Sequence, residues 1–313
     1  MRPMKILVLG AGGIGGYFGG RLAETGADVT FLVREKRKAQ LDRDGLSIES
    51  QYGNATIPVR TALAQGLKPE YDCVLLTCKA YDLDSAMEAI APAMGKDTFI
   101  LPELNGIAHI ERLNARFGIG RVLGGTAKIA VTLTPDGVVK HLNDWNFITF
   151  GEQDGAMKSR VRALAALFEK SPAVKAKAVP DVMQEMWEKC VHLATAASMT
   201  CLMRAPVGDI VRTPFGAALM MQQLDASAAI AKHNGHQPSD AFMQSYRELF
   251  SKSDSIYGTS MLRDTERGGP IEADHIVGFM VEKAKAAGAD DTLFRIAYTH
   301  LKAYENRRAA GRL

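Results

Sequence analysis

The chain has 313 residues, 47% hydrophobic and 23% charged, which is long enough for two domains that each bury a core and ordinary for a globular protein. Its 38 basic and 35 acidic residues leave a net charge of +3, too even a balance to argue for a nucleic acid or a membrane surface as partner. Cys73, Cys78, Cys190 and Cys201 stand in apolar surroundings with no C-x-x-C pair and no histidine at metal spacing. They read as buried free thiols in a reducing cytoplasm, and no metal is expected.

The first apolar run, Ile6-Leu7-Val8-Leu9, has the length and branching of a strand buried on both faces. It is short and committed to that strand, so no export signal is expected. The run leads into Gly10, Gly12, Gly13 and Gly15, of which Gly10, Gly12 and Gly15 keep G-x-G-x-x-G register. Tyr17, Phe18, Leu22 and Ala23 then recur at helical spacing until Gly26 stops the helix, and residues 29–33 form a second apolar strand. In such a unit Gly10 permits the tight turn, Gly12 lets the backbone approach a pyrophosphate, and Gly15 lets the helix pack close to the sheet. The pyrophosphate would rest on the helix N-terminus; the alternative is a glycine-rich turn that binds nothing.

An NAD-selective unit places Asp or Glu near the end of the second strand, and here Arg34 stands there, with Asp28 at the wrong end. An arginine fork suits a 2'-phosphate, and Lys36, Arg37 and Lys38 add positive charge, so NADP is expected rather than NAD. The alternative for the basic run is a solvated helix start, which fits some of its lysines.

Residues 45–59 read as a hairpin around Tyr52-Gly53-Asn54. Residues 73–78 form another buried strand, followed by Lys79 and a helix from about residue 82 to 91; residues 98–101 form the next strand, ending in Pro102-Glu103-Leu104-Asn105-Gly106. This alternation builds a mostly parallel sheet, and Lys79 and Asn105 fall beyond the carboxyl ends of its strands, where ligands sit. Between 121 and 152 the runs are strand-like around Pro135-Asp136-Gly137, which suggests an antiparallel extension of that sheet. A helix over 157–170 and a strand near 174–179 complete a first domain, 1–178.

From 179 to 313 everything reads as helix: 181–203, 213–234, 239–250, 275–287 and 291–307. The uncharged stretch 190–203 is too short to span a bilayer. The fold class expected is α/β, an N-terminal Rossmann-type doubly wound sheet followed by a C-terminal all-helical domain.

In the first of these helices Lys189 is followed by roughly four turns without a formal charge, and its face carries Met186, Leu193, Ala196 and Thr200. A lysine on an otherwise buried helix is expensive unless its ammonium has a partner or a task. Snorkelling to the surface is the alternative. His192 reads as a packing or surface histidine, and His233 and His236 lack the carboxylate or cysteine partners a metal would need.

The chain resembles the ketopantoate reductase (2-dehydropantoate 2-reductase) family nearly end to end. The likeness lies in GAGGIGGYFGGRLAETGADVTFLVR, Lys79 in LLTCKAYD, Asn105 in LNG, GGTAKIAVTLTPDGVVKH and Trp187-Glu188-Lys189. Thr259-Ser260-Met261-Leu262-Arg263-Asp264 and Ile271-Glu272-Ala273-Asp274 are its most specific pieces, with Ser260 and Glu272 keeping the family's twelve-residue separation. The resemblance implies NADPH and a small-molecule 2-oxo acid in a cleft between a Rossmann domain and a helical one. Lys189 matches the catalytic lysine that donates a proton to the carbonyl oxygen as hydride arrives. Glu272 matches a catalytic glutamate at the junction of cofactor and substrate, which could also orient the lysine. Ser260 matches a ligand of the substrate carboxylate, Lys79 and Asn105 match cofactor contacts, Asn105 also lies near the reacting carbonyl, and Ala130 matches a backbone contact to the cofactor. Each has a duller rival: Ser260 as a helix cap, Glu272 in a first helical turn after Pro270, Asn105-Gly106 as a generic turn.

The resemblance also has gaps. Well-characterised members carry asparagines four and eight residues after the lysine and another between a Pro and a Gly; here Leu193, Ala197 and Val207 stand there. A site without those amides would bind the hydroxyl of ketopantoate poorly. The expectation is therefore an NADPH-dependent 2-oxo acid reductase, with ketopantoate the leading substrate and a more apolar 2-oxo acid behind it. A catalytically silent NADPH-binding sensor is the remaining alternative. No nucleic acid or membrane partner is expected, and a homodimer is left open.

Overall fold

The computed structural model describes residues 2–313. It divides into two compact units, Met1–Leu104 with His109–Val182, and Asn105–Ala108 with Met183–Leu313.

The first unit runs β1 (Lys5–Leu9), α1 (Gly13–Glu24), β2 (Asp28–Leu32), α2 (Glu35–Asp44), β3 (Leu46–Glu49), β4 (Ala55–Ile57), β5 (Arg60–Ala62), β6 (Cys73–Leu76), α3 (Leu83–Ile90), β7 (Phe99–Pro102) and α4 (Ala108–Phe117). It continues with β8 (Leu123–Lys128), β9 (Val131–Leu133), β10 (Val139–His141), β11 (Phe147–Glu152), α5 (Ser159–Phe168) and β12 (Lys175–Ala178). Five parallel strands form one sheet in the order β5-β2-β1-β6-β7. The strand order reverses direction between β1 and β6, and a crevice opens beyond the carboxyl ends of strands at such a point. Leu9 pairs with Leu76 at the ends of these two strands, so Gly10 and the Thr77-Cys78-Lys79 segment leave the sheet side by side.

Residues 121–152 follow the expected extension of this sheet only in part. β8, β11 and β12 keep part of it, since Val122 before β8 bridges Ile100 of β7 and β8 pairs antiparallel with β11. β9 and β10 do form a hairpin, closed by the Thr134 amide donating to the Val138 carbonyl at 2.9 Å. However, β10 pairs in parallel with β3, giving a separate sheet ordered β4-β3-β10-β9. The cause lies in α1, whose glycines face two ways. A Cβ at Gly19 would stand 2.8 Å from Val8 Cγ2 and 3.0 Å from the Phe31 ring, on the parallel sheet. One at Gly16 would stand 2.6 Å from Val139 Cγ2, and one at Gly20 2.7 Å from Ile48 Cδ1. The second sheet thus closes over the outer, side-chain-free face of α1 and buries it, although glycine inside a helix costs about 1 kcal/mol relative to alanine.

The second unit is helical: α6 (Val182–Met203), α7 (Val207–Val211), α8 (Gly216–His233), α9 (Asp240–Ser251), α10 (Ser260–Glu266), a widened turn over Asp274–Gly278 continuing into α11 (Phe279–Ala287), and α12 (Thr292–Ala309). The helix expected over 213–234 starts later, because Pro214 ends the preceding turn. On α6 the buried hydroxyls are satisfied locally: Thr195, Ser198 and Thr200 each donate to the carbonyl four residues back, at 2.8, 2.6 and 2.7 Å. Burial pushes the Cys190 thiol up to about 12, which makes it an inert core residue. No helix among the described residues is long and apolar enough to cross a membrane. Among the same residues no group of three or more His, Cys, Asp or Glu side chains could hold a metal ion.

Candidate active site

β1 ends because Gly10 turns with φ at +87°, a region side chains with a Cβ rarely enter. The Gly10 amide donates to the Leu32 carbonyl at 2.9 Å, and Thr77 Oγ1 donates to the Leu9 carbonyl at 2.7 Å. From behind, the turn is tightly packed: a Cβ at Gly15 would overlap the Gly10 carbonyl oxygen and Thr77 Oγ1, and one at Gly13 would stand 3.1 Å from the Val131 carbonyl oxygen. In front it is open, since a Cβ at Gly12 would meet nothing within 4 Å. Amides of a first helical turn have no intrahelical acceptor. An open backbone face at a helix N-terminus fits a pyrophosphate.

Arg34 is the exposed residue preceding α2, and among the described residues its guanidinium makes no hydrogen bond or ion pair. The rest of the basic run divides. Lys38 is committed to Asp42 at 2.7 Å and to Thr61 at 2.9 Å. Arg37 donates to the Ala11 carbonyl at 2.9 Å, to the Gly137 carbonyl at 3.0 Å and to Gln40 at 2.8 Å, and burial holds its guanidinium below the ordinary value. Arg37 therefore braces the glycine turn against the β9–β10 hairpin and does not serve as loose charge. Replacing Arg34 by alanine is expected to raise the NADPH dissociation constant roughly 10- to 100-fold, as for loss of a charge-assisted pair. Fluorescence titration with both dinucleotides checks this, because NADH affinity should stay nearly constant.

Lys79 is exposed three residues after the end of β6, at the start of a short turn over Ala80–Asp82. Ala130 lies beside Val131, against which Gly13 packs. Its amide donates to Asn143 Oδ1 at 3.0 Å and its carbonyl accepts from Leu142 at 2.8 Å. A backbone contact from Ala130 to a cofactor is thus limited to the second lone pair of that carbonyl.

Asn105 follows β7 in sequence yet belongs with the second unit. Gly106, with φ at +79°, lies against His275, where a Cβ would stand 3.0 Å from Cδ2 and 3.1 Å from the carbonyl oxygen. Asn105 is thereby held beside the turn that follows Glu272. Glu272 is 6% exposed and precedes the helical turn, its carbonyl accepting from Ile276 at 3.2 Å. Lys189 is half-buried on α6, where the helix passes from a mixed surface to a core: Met186, Cys190, Ala196 and Thr200 around it are buried. Ser260 is half-buried and opens α10, but Thr259 is the cap, its Oγ1 accepting from the Leu262 amide at 3.1 Å. The Ser260 hydroxyl makes no hydrogen bond among the described residues, so a ligand oxygen can take it. Leu193 is half-buried, and Ala197 and Val207 are buried.

The first unit thus offers an open glycine turn at a helix N-terminus and the Arg34 guanidinium, and the second an ammonium, a buried carboxylate, a primary amide and the Ser260 hydroxyl. A family model described as ketopantoate reductase PanE/ApbA matches residues 6–155, and one described as ketopantoate reductase PanE/ApbA C terminal matches residues 181–305. An uncharacterized oxidoreductase, YkpB, from Bacillus subtilis is 36% identical over 306 residues, covering 96% of this chain and 99% of its own. The 2-dehydropantoate 2-reductase of a Nostoc species is 25% identical over 319 residues, covering 100% of this chain and 99% of its own. The crystal structure of 2-dehydropantoate 2-reductase from Methylococcus capsulatus matches with a TM-score of 0.87 at 28% identity over 98% of both chains. The chain belongs to the ketopantoate reductase family of NADP-dependent oxidoreductases.

Proposed function

We propose that the chain reduces a 2-oxo acid to the 2-hydroxy acid with NADPH, that ketopantoate to pantoate is the leading reaction, and that Lys189 supplies the proton. The observation that carries this reading is that Lys189, Ser260, Glu272 and, although it follows β7 in sequence, Asn105 all belong to one helical unit. When bound, NADPH supplies the hydride to the carbonyl carbon. Negative charge then develops on the carbonyl oxygen, and the Lys189 ammonium both stabilises that charge and protonates it. Glu272, a nearly buried carboxylate, orients the ammonium. The open hydroxyl of Ser260 donates to the substrate carboxylate, and the Asn105 amide holds the carbonyl end. Four free cysteines support a reducing compartment such as the cytoplasm.

A second reading concerns the substrate alone. Leu193, Ala197 and Val207 offer no hydrogen-bond donor from their side chains, and two of them are fully within the core, which favours a 2-oxo acid with an apolar tail over one with a hydroxyl. Following NADPH absorbance with ketopantoate and with 3-methyl-2-oxobutanoate separates the two. Turnover of ketopantoate supports the leading reaction, turnover of the apolar acid alone supports the second, and turnover of no 2-oxo acid rejects both.

A further inference from the structure

The face of α6 that carries Lys189 continues through His192, Ala196 and Thr200 at successive helical steps. The segment leading to Ser260 is attached to this face at two points. His192 Nε2 and Tyr257 Oη are 2.6 Å apart, and the Thr200 and Thr259 hydroxyls are 3.3 Å apart. The same segment is stitched to α7: the Val207 amide donates to the Tyr257 carbonyl at 2.9 Å and the Gly208 amide to the Ser255 carbonyl at 2.8 Å. The approach is backbone against backbone, since a Cβ at Gly208 would stand 2.6 Å from the Ser255 carbonyl oxygen.

The imidazole of His192 is held by rings on several sides. Tyr246 stacks on it at 4.4 Å between centroids, with the Tyr257 ring at 5.6 Å and Phe250 at 6.1 Å. Burial pushes the Tyr257 hydroxyl upward, so it keeps its proton at neutral pH and forms a neutral hydrogen bond with the imidazole. The hydroxyl and Nε2 can each donate to the other, and the imidazole tautomer decides which does.

We propose that the His192–Tyr257 hydrogen bond is a positioning strap that fixes the Tyr257–Ser260 segment on the Lys189 face of α6, and so sets the spacing between the carboxylate ligand and the proton donor. The strap rests on the assignment of Lys189 and Ser260 to the substrate site. Neither His192 nor Tyr257 needs to touch the substrate; both act through Ser260. Loosening the strap weakens capture of the carboxylate and leaves the proton donor itself intact.

The test compares Y257F, which removes one oxygen and keeps the ring, with H192L, H192Q and S260A, using ketopantoate or 3-methyl-2-oxobutanoate, whichever the wild-type enzyme reduces faster, at saturating NADPH. Y257F and H192L are each expected to raise KM about tenfold with kcat within about twofold. The double variant should be no worse than either alone, because both delete one bond. H192Q keeps an acceptor oxygen and should recover most of the loss, and NADPH affinity should not move. If S260A raises KM while Y257F and H192L do not, or if they alter only the melting temperature, the strap is overturned and the site stands. If S260A also leaves KM unchanged, or the wild-type enzyme reduces neither acid, the site assignment fails and the strap with it.

Discussion

Replacing Lys189 by alanine should slow the reduction step on the order of a hundredfold or more, the range in which a positioned general acid contributes. NADPH binding should be unchanged, because the glycine turn and Arg34 lie in the other compact unit. The loss should fall on kcat and kcat/KM together, since the charge that Lys189 meets exists only as the carbonyl is reduced. Single-turnover NADPH oxidation isolates that step. A rate within a few-fold of wild type would remove Lys189 from the chemistry and return it to the snorkelling role that its helix also permits.

A single methyl group at the glycine turn should have an effect of similar size on cofactor binding. Gly15→Ala places a Cβ onto the Gly10 carbonyl oxygen and Thr77 Oγ1, and backbone cannot yield cheaply, so turn and helix must separate. The expected result is a fall in NADPH affinity on the order of a hundredfold, with a lower melting temperature, as overpacking of this kind costs about 1–3 kcal/mol or more. Gly12→Ala is the informative contrast. Nothing lies within 4 Å of a Cβ there, so the free protein should melt as the wild type does while NADPH affinity still drops, because the methyl group occupies the approach of the pyrophosphate. Fluorescence titration and thermal unfolding of the two variants check both halves. Unchanged NADPH affinity in Gly12→Ala would mean that the open side of the turn is not where the phosphates lie.

Local features were legible in the sequence and long-range choices were not. The strand, glycine turn, helix and strand at residues 5–33 follow from spacing within one short stretch, and so does Arg34 at the end of the second strand. The face of α6 was readable for the same reason, since a helix fixes which residues share a side. Partner choice between strands is nonlocal, and residues 121–152 show the consequence. Their strand character was visible, but pairing of β10 with β3 depended on the glycine face of α1. Arg37 looked like its neighbours in a basic run, and only the fold brings it to the Ala11 and Gly137 carbonyls. Capping of α10 by Thr259 in place of Ser260 is a shift of one position, finer than helix boundaries can be read from sequence. His192 and Tyr257 are 65 positions apart, and no periodicity links them. Asn105 reads as the end of a strand loop, and its attachment to the helical unit rests on Gly106 fitting against His275.

The central claim is that the Lys189 ammonium hands its proton to the oxygen that receives charge from hydride transfer. A crystal structure with NADP+ and the 2-hydroxy acid product tests it most directly. The account expects Lys189 Nζ at roughly 3 Å from the product hydroxyl oxygen, the reach of a general acid, with the product carboxylate on Ser260. A hydroxyl oxygen held by another side chain, with the Lys189 amine turned into solvent, would contradict it.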